Sequence, residues 1–331
     1  MPQTIDFSKL LVNAAGMKPA TTRTDRWLIG DVGATTSRFG VLGPAATAPG
    51  HVGIYQNDEY DGLTELLADY LSGIDSRPQA LALAVAAPVH GDHIRMINRD
   101  WSFSGASLAG ELGVTRVKIV NDFHAVAFAL PAFDADTRIE IGNATEYRDG
   151  NMAAIGPGSG LGTSAWIAGD AGGAAMTGEG GHITLSGRDR DEDEIIAEFR
   201  ARFGHCSAER VLSGPGLITL HDVMHGIRVS NSEAITRNAS EAACAATMRQ
   251  FFSFLGSAAA DLALIAGAFG GLYIAGGIVP ACIEQLRASP FRDRFDDKNR
   301  YRDYMRRIPT YVISDPLPGL TGLAAMINRG L

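Results

Sequence analysis

The sequence predicts an α/β fold divided into two lobes, on three observations. Segments of strand character alternate with segments of helical periodicity along the chain. Its 331 residues exceed what one hydrophobic core usually serves, and a hydrophobic content of 46% is enough to fill two. Three glycine-bearing turns, each following a short β-type run, recur at roughly even intervals: Gly30-Asp31-Val32-Gly33-Ala34-Thr35, Ile155-Gly156-Pro157-Gly158-Ser159-Gly160-Leu161-Gly162, and Ile274-Ala275-Gly276-Gly277-Ile278.

The elements follow in order. The stretch before Arg26 has one short apolar patch, Leu10-Leu11-Val12, broken by Asn13. Lacking the charged start and apolar centre of a secretory signal, residues 1–25 read as a loose arm. Trp27-Leu28-Ile29, the first glycine turn and Arg38-Phe39-Gly40-Val41-Leu42 together read as a β-hairpin. Leu63, Leu66, Leu67, Tyr70 and Leu71 fall on one helical face. Ala80 to Ala87 is a continuous apolar run stopped by Pro88, as expected of a strand buried on both sides. Val117-Lys118-Ile119-Val120 reads as a strand ending on Asn121-Asp122; Phe123, Val126, Ala127 and Leu130 then mark a helix that Pro131 stops. The acidic run from Asp189 to Glu194 precedes Ile195-Ile196-Ala197-Glu198-Phe199, which suits a helix N-terminus complementing its dipole. Residues 257–281 are almost uncharged, but Asp261 sits inside and Gly267, Gly270 and Gly271 break the run. A buried helix followed by a buried strand explains it better than a membrane span. Lys298, Arg300, Arg302, Arg306 and Arg307 read as a solvated basic helix face. The two glycine hairpins hint at duplicated lobes.

Charge and cysteine usage exclude several classes. A net charge of -8 offers no basic stripe to displace counterions from nucleic acid. Cys206, Cys244 and Cys282 have no CxxC spacing, so they read as reduced thiols in a cytoplasm and give neither a disulfide frame nor a zinc knuckle.

The glycine turns carry the chemistry. A glycine turn at a strand end lets backbone N–H groups approach phosphate oxygens, and three such turns can converge on one triphosphate. That layout points to a two-lobed nucleotide phosphotransferase. Asp31 can hold a magnesium ion through water while Thr35 and nearby amides face the phosphates; alternatively it closes a tight turn. Asp122 has two readings, the base that takes a proton from an acceptor hydroxyl and a helix N-cap. Asn98, Asn121, Glu179, His182 and Glu209 are polar residues in turns or at element ends, the company a polyhydroxyl substrate needs. Glu179-Gly180-Gly181-His182 suits gripping vicinal hydroxyls; a zinc site there lacks a third ligand. His221 and His225, spaced i, i+4, have no supporting acid motif and read as surface or partly buried histidines.

The ordered set of motifs resembles the bacterial ATP-dependent glucokinase family of the hexokinase and actin-like ATPase superfamily. The resemblance runs from about Trp27 to near the C-terminus. It rests on residues 30–35, Asn98 with Trp101 and Phe103, Asn121-Asp122-Phe123, Gly158 to Gly162, Gly178-Glu179-Gly180-Gly181-His182, Ser207 to Gly216, and Ile274 to Pro280. It implies an actin-like, ribonuclease H-like fold with a cleft between a small lobe, residues 26–120 plus 316–331, and a larger one, 121–315. It further implies ATP held by Gly30, Asp31, Val32, Gly33, Ala34, Thr35, Gly158, Ser159, Gly160, Gly276 and Gly277, with Mg2+ at Asp31. Glucose would be held by Asn98, Asn121, Asp122, Glu179, His182 and Glu209, with Asp122 as the catalytic base. Relatives are commonly homodimers; the charge, the cysteine usage and the interrupted apolar run lead us to expect a cytoplasmic protein with no nucleic-acid or membrane partner. The family usually has two glycines where this chain has Gly33-Ala34; if that position needs positive φ, the alanine costs about 1 kcal/mol or more and weakens ATP binding. A kinase for another hexose is the nearest rival. A sugar-sensing regulator is disfavoured by the short segment before the first strand and the absence of a cysteine cluster. An actin-like filament or chaperone ATPase is disfavoured by Glu179, His182 and Glu209.

Overall fold

The computed structural model describes residues 25–330 other than 76, 98, 145–148, 171 and 239. Asn98 and nearly all of the expected N-terminal arm therefore lie outside the described residues. The chain forms two compact units, one running to Ala132 and resuming at Pro316, the other spanning Phe133–Asp315.

The first unit is built on strands β1 (Trp27–Val32), β2 (Thr36–Leu42), β3 (Gly50–Gln56), β4 (Ala80–Val85) and β7 (Arg116–Asn121), with β5 (His93–Arg95) and β6 (Ser102–Ser104) forming a separate ribbon. The sheet order is β3-β2-β1-β4-β7. The expected hairpin is present: β1 and β2 pair antiparallel, from Trp27 opposite Leu42 to Val32 opposite Ser37. β1, β4 and β7 run parallel, so the carboxyl ends of β1 and β7 lie on the same edge, where open α/β sheets carry ligands. β4 is buried at every residue, as its unbroken apolar run requires. In the helix Leu63–Ser72 the buried residues are Leu63, Leu66, Leu67 and Tyr70, the anticipated face, with Leu71 only half-buried.

One expected boundary moves. The line drawn at 120 falls instead after Ala132, because the helix Asp122–Ala129 packs on the C-terminal helix Pro318–Asn328 inside the first unit. Its carbonyl at Ala125 lies against Gly322, where a side chain would collide with backbone.

The second unit contains β8 (Arg138–Glu140), β9 (Met152–Pro157), β10 (Leu161–Ile167), β11 (Ala174–Thr177), β12 (Gly271–Ile274) and β13 (Thr310–Ile313), ordered β11-β10-β9-β12-β13-β8. β9 and β10 form the second glycine hairpin, β11 extends it antiparallel, and β12 and β13 follow parallel to β9. Strand for strand, β9-β10-β11-β12-β13 repeat the arrangement of β1-β2-β3-β4-β7. The hint of duplication in the two hairpins is thus realised in topology.

The nearly uncharged stretch is helix then strand, but the helix, Ala242–Ala266, begins fifteen residues before 257. Arg249 and Gln250 interrupt the apolar run without breaking the helical period, so Met248, Phe251, Phe252 and Leu255 still face the core. No described helix is long and apolar enough to cross a membrane. The acidic run does start a helix, Arg190–Phe203, with Asp189 accepting from the Glu192 N–H at 3.1 Å. Glu192 itself is not there for the dipole. It is buried, pairs with both terminal nitrogens of Arg294 at 2.6 and 3.0 Å and accepts from Gln250 at 2.9 Å. Of the basic patch, Arg300, Arg302, Arg306 and Arg307 are exposed, whereas Lys298 is half-buried against Asp261. The three cysteines are buried and free.

Candidate functional site

The first glycine turn is shorter than its motif. Gly30, Asp31 and Val32 belong to β1, leaving Gly33, Ala34 and Thr35 as the turn. Gly30 and Val32 are buried in the sheet, and a Cβ at Gly30 would strike the Phe39 ring and Leu83 at 2.6 to 2.8 Å. At these two positions the structure shows packing in the core, whereas Asp31, Gly33 and Ala34 are half-buried and Thr35 is exposed. Ala34 is not among the positive-φ residues, so the expected backbone strain is absent.

Asp31 stands at the end of β1 with its side chain only 17% exposed and Arg38 at 3.9 Å. Burial pushes its carboxyl above the usual range, and the Arg38 charge only partly opposes that. On the same sheet edge, β7 ends at Asn121 and the helix begins at Asp122. The cap position is Asn121 rather than Asp122: Asn121 Oδ1 accepts from the Phe123 N–H at 2.9 Å, an N–H that Asp122 Oδ1 also accepts at 2.9 Å. Asn121 Nδ2 donates to the Ala87 carbonyl at 3.3 Å, so one amide hydrogen remains for a ligand. Asp122 is thereby at the first helical position, half-buried, with its pKa pushed up to about 7. Burial is the main cause and the Asp31 carboxylate adds to it, while the N–H groups of Phe123 and Asp122 and the Asn121 side chain oppose it. A carboxylate whose ionisation is made costlier by burial and by a neighbouring carboxylate is a setting a divalent cation relieves.

In the second unit the other two glycine turns meet. Gly276 has φ +85 and lies so close to the Pro157 carbonyl that no side chain fits, and the Ala275 N–H donates to Ile155 at 2.8 Å. Gly158 N–H donates to Gly160 at 2.8 Å across the hairpin tip, and Ser159 is exposed. Glu209 also reaches this turn: Oε2 accepts from the Leu161 N–H at 2.9 Å, while Oε1 lies 3.9 Å from His182 Nδ1. His182 is 58% exposed and Glu209 33%, both accessible to a ligand, and Glu179 is exposed at the start of the same turn. Among the described residues no three His, Cys, Asp or Glu side chains form a metal cluster. His221 is buried rather than a surface group, bonded to Thr247 at 2.8 Å, with His225 on the same hydroxyl.

The expected residues thus fall into two groups, Asp31, Asn121 and Asp122 in one unit and Glu179, His182, Glu209 and the two remaining turns in the other. Sequence reading missed the backbone bond from Gly214 N–H to Gly158 at 2.8 Å, which brings a helix start, capped by Ser213, to the second turn. Ser213-Gly214-Pro215, a cap with proline in the first helical turn, was the available signal.

A glycine hairpin extended by parallel strands, repeated in two units, with Asp31 and Asp122 at strand ends of the first, is the two-lobed actin-like ATPase fold of sugar kinases. The chain belongs to the glucokinase family, whose family model matches residues 28–330. It is 42% identical over 315 residues to a glucokinase of Aromatoleum aromaticum, covering 92% of this chain and 95% of the relative. Among solved structures, the crystal structure of a glucokinase from an Antarctic psychrotroph matches with a TM-score of 0.80 and 30% identity, over 93% of this chain and 100% of that one. A ROK family glucokinase from Streptomyces griseus, solved with glucose and AMPPNP, has the same fold at a TM-score of 0.60 and 18% identity, over 92% of this chain and 100% of that one.

Proposed function

We propose that this protein is an ATP-dependent glucokinase that phosphorylates the 6-hydroxyl of glucose, the first step of glycolysis. Asp122 is the base: as the 6-oxygen attacks the γ-phosphorus in line and ADP departs, the hydroxyl proton passes to the Asp122 carboxylate. Asn98, Asn121, Glu179, His182 and Glu209 hold the sugar hydroxyls. Gly33, Ala34 and Thr35, Gly158, Ser159 and Gly160, and Gly276 and Gly277 hold the phosphates. Asp31 holds Mg2+ through water, and the ion when bound neutralises charge on the phosphates. The observation that carries the reading is the state of Asp122: at a sheet's carboxyl edge, first in its helix after the Asn121 cap, and poised near neutrality by burial. A base with a pKa near the working pH combines availability with driving force.

A cytoplasmic homodimer fits the family, and light scattering reads the dimer directly. Glucose 6-phosphate formation should be measured by coupled assay for wild type and Asp122→Ala across glucose, mannose, fructose and N-acetyl sugars. Turnover of glucose should fall on the order of 10² to 10⁴ in the variant, with the glucose KM moving far less. Undiminished turnover would remove Asp122 from its role; preference for another hexose would reassign the substrate.

A further inference from the structure

Arg99 holds the first phosphate turn from behind. Its Nε donates to the Ala34 carbonyl at 3.1 Å, Nη1 donates to the Asn57 carbonyl at 3.1 Å, and Nη2 pairs with Asp58. The guanidinium lies 4.6 Å above the Trp101 ring, and the side chain is only 14% exposed. Asn57, fully buried, completes the hold. Its Nδ2 donates to the Gly33 carbonyl at 2.9 Å, its N–H donates to the Thr35 carbonyl at 2.8 Å, and its Oδ1 accepts from Ser37 at 2.7 Å.

Three successive carbonyls, of Gly33, Ala34 and Thr35, are therefore fixed by two residues. In a planar trans peptide the C=O of one residue and the N–H of the next point in opposite directions. Taking the Gly33 and Ala34 carbonyls on one side turns the Ala34 and Thr35 N–H groups to the other. Neither N–H donates to another described residue. Two adjacent amides aimed the same way and left open form the concavity that binds phosphate oxygens.

We propose that Arg99 is a positioning residue for nucleotide binding: by gripping the Ala34 carbonyl it fixes the orientation of the Thr35 amide presented to the phosphates. The proposal rests on the reading of this turn as an ATP site. Three bonds in three directions require the guanidinium fork; a lysine ammonium keeps the charge but not the geometry.

The test uses Arg99→Met, which keeps an apolar stem over Trp101, and Arg99→Lys. AMPPNP affinity is measured by calorimetry with Mg2+, alongside initial rates with ATP and glucose varied in turn. Loss of a charge-assisted bond to a carbonyl should raise the AMPPNP Kd and the ATP KM on the order of tenfold in Arg99→Met, less in Arg99→Lys, with the glucose KM within about twofold of wild type. Unchanged AMPPNP affinity in Arg99→Met, with wild type binding normally, overturns the positioning role and leaves the ATP site standing. Equal losses for both substrates also overturn it, since they mark general loosening. Failure of wild type to bind AMPPNP overturns the ATP reading and this proposal together.

Discussion

At the residue scale, the paired carboxylates tie stability to pH. Asp122 has a folded pKa of about 7 against an ordinary 3.8, so between those values the native state holds more protons than the unfolded chain. Its contribution to stability is full below 3.8 and is lost as pH rises through about 7. In metal-free protein, raising the pH from 5 to 8 should therefore lower the melting temperature of wild type more than that of Asp122→Asn, which has no proton to lose. Parallel melting curves for the two proteins would contradict this. The same group should give kcat/KM an acid limb with a midpoint near neutrality. Sequence alone left Asp122 between base and cap. In the structure Asn121 occupies the cap position, its Oδ1 accepting the Phe123 N–H that Asp122 Oδ1 also accepts, an arrangement that no sequence pattern distinguishes from a cap at Asp122 itself.

At the element scale, the C-terminal helix Pro318–Asn328 sets where both carboxylates stand. Gly322 lets the Ala125 carbonyl of the Asp122 helix approach, and Gly319 makes room for Asp31, whose Cγ would lie 2.7 Å from an added Cβ. Alanine gains up to about 1 kcal/mol over glycine in a helix interior, but a methyl forced against backbone costs about 1–3 kcal/mol. Gly322→Ala should therefore lower unfolding free energy despite its better helix propensity, as read by urea denaturation. Gly319→Ala meets a movable carboxylate instead, so it should impair turnover more than stability. A Gly322→Ala protein more stable than wild type would mean that the helices can separate without cost. Hydrophobic periodicity made several strands and helices visible from sequence, including β4 and the helix Leu63–Ser72, though not the C-terminal helix Pro318–Asn328. It could not reveal which glycines exist for packing, because Gly30, Gly319 and Gly322 owe their identity to neighbours far along the chain.

At the scale of the whole molecule, the same five-strand arrangement occurs twice, each copy opening on a glycine hairpin. Hairpins are local, so their recurrence was readable from residues 27–42 and 152–167. The parallel additions of β4 and β7, and of β12 and β13, join distant segments that no local pattern links. The expected domain limit failed for the same reason, since the packing of residues 122–129 on residues 318–328 decides it. The proposed set of sugar ligands also has a kinetic consequence. If those ligands must engage the sugar before transfer, water should be a poor substitute for the 6-hydroxyl. ATP hydrolysis without sugar should run at a small fraction of the glucose rate in a phosphate-release assay, and a comparable rate would mean that the site is complete without the sugar. The most direct measurement is a crystal structure of the protein with glucose and AMPPNP. The Asp122 carboxylate is expected within about 3 Å of the glucose 6-oxygen; a carboxylate turned away from the bound sugar would contradict its role as the base.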